Sequence, residues 1–317
     1  SRKPLPRYMV TLLLASKEDT ASMNIYSEVL ELNGWGETKQ YSHGEVTRNS
    51  ISDIELLLID QLHIWADGID LKHQEITNSD VDEVLVLSRH VSSSETPAIT
   101  LHAIGIPGGT PRGMKAESGG INGKVSPPST KFAELFRTMK RIASGKKLDE
   151  KYDLTLETTH HGPLLESPTL YLEIGSTEDQ WADKEAARVW AETISLCLGI
   201  EGGGRKWEGR GDVMIGFGGG HYAPRHKAVI SESDVWLGHI LASYSLNFER
   251  TAEGSDSGVW QHSVKSAVDS TRIAFPGGNV FAHLDRKSFK SWQRNELTKL
   301  LSELGVPVLR GKQITDP

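Results

Sequence analysis

His160 and His161 stand side by side in Glu157-Thr158-Thr159-His160-His161-Gly162-Pro163, and about sixty residues later a glycine run delivers another imidazole in Gly216-Phe217-Gly218-Gly219-Gly220-His221. A neutral imidazole can ligate a divalent metal or act as a general base near neutral pH. Carboxylates such as Glu166 and Glu173 could complete a metal shell or orient a histidine. A glycine run lets backbone approach a ligand closely, and its amides can face a phosphate or a developing oxyanion. His90 and His102 also follow or close apolar runs, and Arg89 reads as an anion contact. No standard zinc motif is present, neither His-Glu-x-x-His nor paired cysteines, and Gly-x-Ser-x-Gly is missing around Ser88. Metal ligation, metal-free acid–base chemistry and purely structural histidines all stay open at this level.

Adjacent residues on a strand point to opposite faces, so His160 and His161 can share a site only if the strand has ended; Gly162-Pro163 supplies that stop. Apolar runs of strand length cover 10–15, 54–60, 81–88, 98–104, 154–158, 169–174 and 213–217. Asp19 caps a helix to about Leu32, and Ser129 caps a basic helix to about Ser144. A long amphipathic helix is expected over 178–198, with further helices over 234–248, 260–268 and 287–304 and short strands over 272–275 and 306–309. This alternation predicts a three-layer α/β/α arrangement around a mixed, largely parallel central sheet. If the strands are parallel neighbours, their carboxyl ends bring the imidazoles to one crevice. The expected organisation is a leader over 1–8 and a single domain over 9–317, with a basic loop and helix at 107–151.

The chain has 317 residues, 37% hydrophobic content and a net charge of -7. No apolar run reaches the roughly 20 residues that span a bilayer, so no membrane partner is expected. The single cysteine, Cys197, excludes a disulfide framework and points to a reducing compartment. The charge is unevenly spread: Arg112 to Lys151 holds ten basic residues against four acidic ones. That flank, with Arg112 and Lys115 in its loop, reads either as a solvated helix face or as a phosphate-binding surface.

Ser88-Arg89-His90, Thr158-Thr159-His160-His161-Gly162-Pro163, Leu172-Glu173-Ile174-Gly175-Ser176-Thr177, Gly218-Gly219-Gly220-His221-Tyr222-Ala223-Pro224 and Gly238-His239-Ile240 come in the order found in one family. Together they resemble the archaeal and plant type of D-aminoacyl-tRNA deacylase, the plant branch most closely, across nearly the whole chain. The resemblance implies a phosphorylase/hydrolase-like α/β/α fold and hydrolysis of the ester joining a D-amino acid, free or aldehyde-modified, to the 3′ acceptor end of tRNA. It also implies zinc; the chain itself is expected as a monomer in the cytoplasm, with the nucleus as a second address. Carried over by position, His160, His161, His221 and Glu166 become the catalytic candidates, and His160, His161, Glu173 and His221 the metal set. His90, His102 and His239 become substrate contacts by the same transfer, joined by Arg89 as the anion contact, Gly218, Gly219 and Gly220 from the glycine run, and Arg112 and Lys115 from the basic flank. The rival readings are a metallo-exopeptidase or nucleoside-processing enzyme on the same fold, and a non-catalytic RNA-binding module.

Overall fold

A computed structural model describes residues 7–108, 118–249 and 258–317. In chain order the first elements are β1 (Tyr8–Ser16), α1 (Thr20–Leu30), β2 (Lys39–Tyr41), β3 (Gly44–Arg48), β4 (Ile54–Ile59), α2 (Ile69–Ile76), β5 (Ser79–Val91), β6 (Ala98–His102), β7 (Gly105–Ile106), β8 (Lys124–Val125), α3 (Phe132–Gly145) and β9 (Asp153–Leu154). There follow β10 (Thr169–Ser176), α4 (Glu178–Trp181), α5 (Lys184–Cys197), β11 (Asp212–Phe217), α6 (Pro224–Ser231), β12 (Trp236–Leu241), α7 (Val259–Ala274), β13 (Asn279–Leu284), α8 (Ser291–Glu303) and α9 (Gly311–Thr315). The chain divides into two compact units, each discontinuous in sequence. One comprises Ser1–Leu101, Glu134–Thr155 and Leu165–Arg205; the other comprises His102–Ala133, Leu156–Leu164 and Lys206–Pro317.

The first unit is built on an eight-stranded sheet ordered β2-β3-β4-β1-β5-β10-β6-β9. Strand β1 runs parallel to β4 and β5, β5 parallel to β10, and β6 parallel to β9, whereas β2, β3 and β4 pair antiparallel at one edge. The sheet is therefore mixed and largely parallel, and the class is α/β, as the alternation of elements predicts. Leu12, Leu13 and Leu14 are each 0% exposed. Consecutive strand residues face opposite ways, so this sheet is covered on both faces, which explains why its strands read as unbroken apolar runs. Asp19 caps α1 as expected, accepting from the Ser22 amide at 2.9 Å. Strand β1 already begins at Tyr8, and Arg7 pairs with Asp80 at 2.8 Å, inside the stretch expected as a leader.

The second unit holds a smaller parallel sheet ordered β12-β11-β13. Val213, Ile215 and Phe217 of β11 pack in a core with Trp236, Trp260, Val264 and Leu297. Two expectations fail here. The segment 234–248, expected as a helix, contains β12 followed by a short turn, and the strand expected at 272–275 is the end of α7. Trp236 to Leu241 is buried at every position, so the alternation that would mark a strand is absent. Gly238 also belongs to a strand for a packing reason, because a Cβ there would lie 2.5 Å from Thr271 Cγ2 on α7. The helix expected over 178–198 is broken in two, with Asp183 capping the second part through the Glu185 amide at 3.0 Å.

Candidate active site

Within the second unit, the short segment Leu156–Leu164 is pinned on both sides by backbone. Its Thr158 amide donates to His221 O at 2.9 Å and its Thr159 amide to Ile240 O at 2.8 Å, while His160 forms a parallel bridge with Ile104. Regular backbone then stops, for His161 takes a φ of 44°, the left-handed region that L residues seldom occupy. This turn lets two adjacent imidazoles share one site. His102, leaving the end of β6, completes the group.

The rings are in contact. His102 and His160 stack with centroids 3.9 Å apart, His161 meets His102 at 4.7 Å and His160 at 4.6 Å, and His221 lies 4.5 Å from His160. Each member of the trio spends the same nitrogen on backbone. Nδ1 of His102 donates to Ala103 O at 2.8 Å, Nδ1 of His160 to Thr158 O at 2.7 Å, and Nδ1 of His161 to Gly162 O at 2.7 Å. That fixes the tautomer, so Nε2 carries the lone pair in all three. Removal from water, reinforced by His102 and His161, drives the His160 pKa well below its ordinary 6.5 and keeps the ring neutral.

Beside the trio lies a buried anion. Glu157 is 0% exposed, and its Oε1 accepts from His221 Nε2 at 2.8 Å while lying 3.9 Å from His160 Nε2. His221 therefore presents Nδ1 as its lone-pair nitrogen, which takes a hydrogen bond from the Tyr244 hydroxyl at 2.9 Å. Thr158 Oγ1 lies 3.1 Å from the same hydroxyl. Burial, with Glu157 nearby, raises the Tyr244 pKa, so the phenol stays protonated and remains a donor. A carboxylate, an imidazole and a phenol thus form one chain of hydrogen bonds.

Among the described residues of this unit, two sets of side chains bring ligand atoms within 4.8 Å of one another: His102 with His160 and His161, and Glu157 with His160 and His221. The first set fits a zinc ion well in its chemistry. It offers three imidazoles, each with one nitrogen anchored on a carbonyl, the outer-shell arrangement typical of metal-bound histidine.

The family model for D-aminoacyl-tRNA deacylase matches residues 77–309. A D-aminoacyl-tRNA deacylase of Arabidopsis thaliana is 38% identical over 97% of this chain and 100% of its own length. One from Methanosarcina mazei is 34% identical over 96% of this chain and 93% of its own. The chain belongs to the D-aminoacyl-tRNA deacylase family. The crystal structure of a conserved protein of unknown function shares the fold, with a TM-score of 0.78 at 27% identity and 98% coverage of both chains.

Of the residues that the deacylase resemblance nominates, His102, His160, His161 and His221 come together. The others have the following surroundings. His239 is buried on β12 with both nitrogens occupied, Nδ1 by Thr159 Oγ1 at 2.7 Å and Nε2 by Ser126 O at 2.9 Å, so it braces the segment under the site. Arg89, His90, Glu166 and Glu173 lie in the other unit. There the Arg89 amide donates to Asp19 and its guanidinium stands 5.5 Å from the Trp181 ring centroid. His90 faces Glu173 at 3.8 Å, and Glu166 is exposed, its amide held by Asp70 at 3.1 Å. Arg112 and Lys115 fall outside the described residues. In the expected basic flank, Lys146 and Lys151 pair with Glu192 and Asp183 at 3.2 and 3.1 Å, and Lys131 is buried.

The glycine run serves the fold rather than an oxyanion at two of its positions. The Gly218 amide already donates to Leu241 O at 2.8 Å, and the Gly219 amide to Ser243 and Ser288 hydroxyls at 3.0 and 3.1 Å. Gly219 has a φ of 87°, and a Cβ there would sit 2.6 Å from Asp285 Oδ2. Gly219→Ala is expected to lower stability by roughly 2–4 kcal/mol, combining left-handed strain with overpacking. Gly220→Ala, with nothing within 4 Å of the added carbon, should stay near wild type. Urea midpoints of the two variants make the comparison, and equal midpoints would refute it.

Glu157 and Tyr244 are the functional candidates that sequence reasoning passes over. Glu157 had a signal, since it precedes His160 by three residues in the same motif, but nothing marked it as buried. Tyr244 had none, because it lies in the segment misread as a helix.

Proposed function

We propose that this chain hydrolyses the ester linking a D-amino acid to the 3′-terminal ribose of tRNA, releasing both for reuse. The observation carrying this reading is the buried Glu157 hydrogen-bonded to His221 beside three converging imidazoles. The named activity of the relatives supplies the substrate class. Zinc would be held by His102, His160 and His161, and when bound it acidifies water and polarises a carbonyl. The chain's own groups supply the proton traffic. Glu157 fixes His221 in the tautomer with an Nδ1 lone pair and stabilises the imidazolium that forms when Nδ1 takes a proton from attacking water. The same nitrogen then returns that proton to the departing ribose oxygen. Tyr244, kept protonated, has one hydrogen to give: turning it from His221 Nδ1 to the tetrahedral oxyanion would free that nitrogen for the water proton.

No described helix is long and apolar enough to cross a membrane, and the relatives lend no support to the exopeptidase, nucleoside-processing or RNA-binding readings. The test is turnover of D-tyrosyl-tRNA against L-tyrosyl-tRNA. The D ester is expected to be cleaved at least a hundredfold faster, and equal inertness toward both would remove the deacylase reading.

A further inference from the structure

A cleft of about 740 Å³ in the second unit is lined by five cationic side chains, Arg225, Arg286, Lys287, Arg310 and Lys312, and, among the described residues, by no carboxylate. A neighbouring depression of about 680 Å³ shares Arg286 and adds Arg294 and Lys299. The chain as a whole carries a net charge of -7, so this concentration runs against its bulk composition. Arg225 is tied to Asp285 at 3.4 Å. Among the described residues, Arg286, Lys287, Arg310 and Lys312 make no ion pair. Arg294 is held in place, with Nη1 donating to Phe289 O at 2.7 Å and Arg286 O at 3.0 Å. The Arg286 pKa is pushed down, first by loss of water and then by Arg310 and Arg294 nearby. Such crowding is a repulsion that an anion would relieve.

The shape favours a ligand with several phosphates. Two adjoining depressions joined at Arg286 exceed what one phosphate fills, and Leu284, Val308 and Leu309 give the larger one an apolar wall suited to sugar edges. The cleft is also wired to the glycine run. His283 on its lining meets His226 Nδ1 at 2.8 Å, and His226 Nε2 donates to Gly218 O at 3.1 Å, three residues before His221. We propose that this cleft binds the phosphodiester backbone of the tRNA substrate, an inference that rests on the deacylase reading. Phosphate contacts here supply affinity and orientation without reading sequence.

The test uses the full chain and deacylated tRNA, with affinity followed by fluorescence anisotropy across a salt series. The triple variant Arg286→Gln, Arg310→Gln, Lys312→Gln is expected to lose at least tenfold in affinity. Its salt slope should flatten by about 2 to 3, since each phosphate contact contributes about 0.9. Arg286→Lys, which keeps the charge, should retain most of the binding. The matched triple Lys39→Gln, Lys72→Gln, Lys184→Gln removes the same charge from exposed positions of the other unit and should bind within twofold of wild type. Equal losses in both triples, or none in either, would overturn the proposal. So would complete displacement of tRNA by millimolar inorganic phosphate, which would mean a single-phosphate site. No turnover is read, so a negative result leaves the deacylase reading standing, and a chain inert toward D-tyrosyl-tRNA would still return an answer on the cleft.

Discussion

Glu157→Gln is expected to lower kcat for D-tyrosyl-tRNA by about 10²–10⁴ while leaving the fold intact. The substitution preserves shape at a position that is 0% exposed, so no cavity forms. What changes is the proton. A carboxylate can only accept, which obliges His221 Nε2 to carry hydrogen across the 2.8 Å contact. The amide of glutamine can donate instead, allowing the opposite tautomer and placing the His221 proton on Nδ1, where the base must be empty. The imidazolium formed during turnover also loses its counter-charge. Glu157→Asp, retaining charge with a shorter reach, should recover part of the rate. Single-turnover deacylation gives the rate and thermal melting controls for the fold. A kcat within threefold of wild type, with Tm unchanged, would show that Glu157 is a structural anion only.

A second large effect is expected from acid. Burial holds His226 at a pKa of about 3 and His239 at about 4, and burial beside His73 holds His43 at about 4. In the unfolded chain each titrates near 6.5, so between pH 6.5 and 4 the unfolded state binds more protons than the folded one. Stability therefore falls as pH drops through that window. Each pKa unit corresponds to about 1.4 kcal/mol, so a histidine held neutral by two to three units costs the fold roughly 3 kcal/mol by pH 4. His226 and His239 together reach the lower end of the 5–15 kcal/mol total of an ordinary domain, and His43, whose ring is less deeply removed from water, adds less. Asp19, whose pKa is lowered by its hydrogen bond and charge contact with His63 against the opposing effect of burial, adds a loss in the same direction at still lower pH. Urea midpoints at pH 7, 6, 5 and 4 should decline steadily, and a flat series from pH 7 to 5 would refute the burial of these rings as neutral groups.

The sheet of the first unit was readable because its strands are covered on both faces and bounded by caps and turns. Asp19 and the runs at 10–15, 54–60 and 81–88 left little choice. The edge strands β2 and β3 carry polar residues and few apolar ones, so neither period rose above the background. Around the site, sequence gave the imidazoles that close or follow strands, because glycine and proline mark where regular backbone stops. It could not give Glu157 its role, since a glutamate at a strand end is more often solvated, and only the tertiary packing puts it out of water. Nor could one chain say that His239, in the same kind of motif, has both nitrogens used by Thr159 and Ser126.

The division of the chain into interleaved segments has a consequence for synthesis. All three pieces of the first unit have been made once Arg205 is added. His102, His160 and His161 precede that point, yet the backbone that receives the Thr158 and Thr159 amides, at His221 and Ile240, comes later. On the ribosome, where domains fold largely in order of emergence, the imidazole trio is translated well before its supports. The unit that holds it can close only when the last third of the polypeptide arrives, and neither unit can be cut out as one continuous fragment.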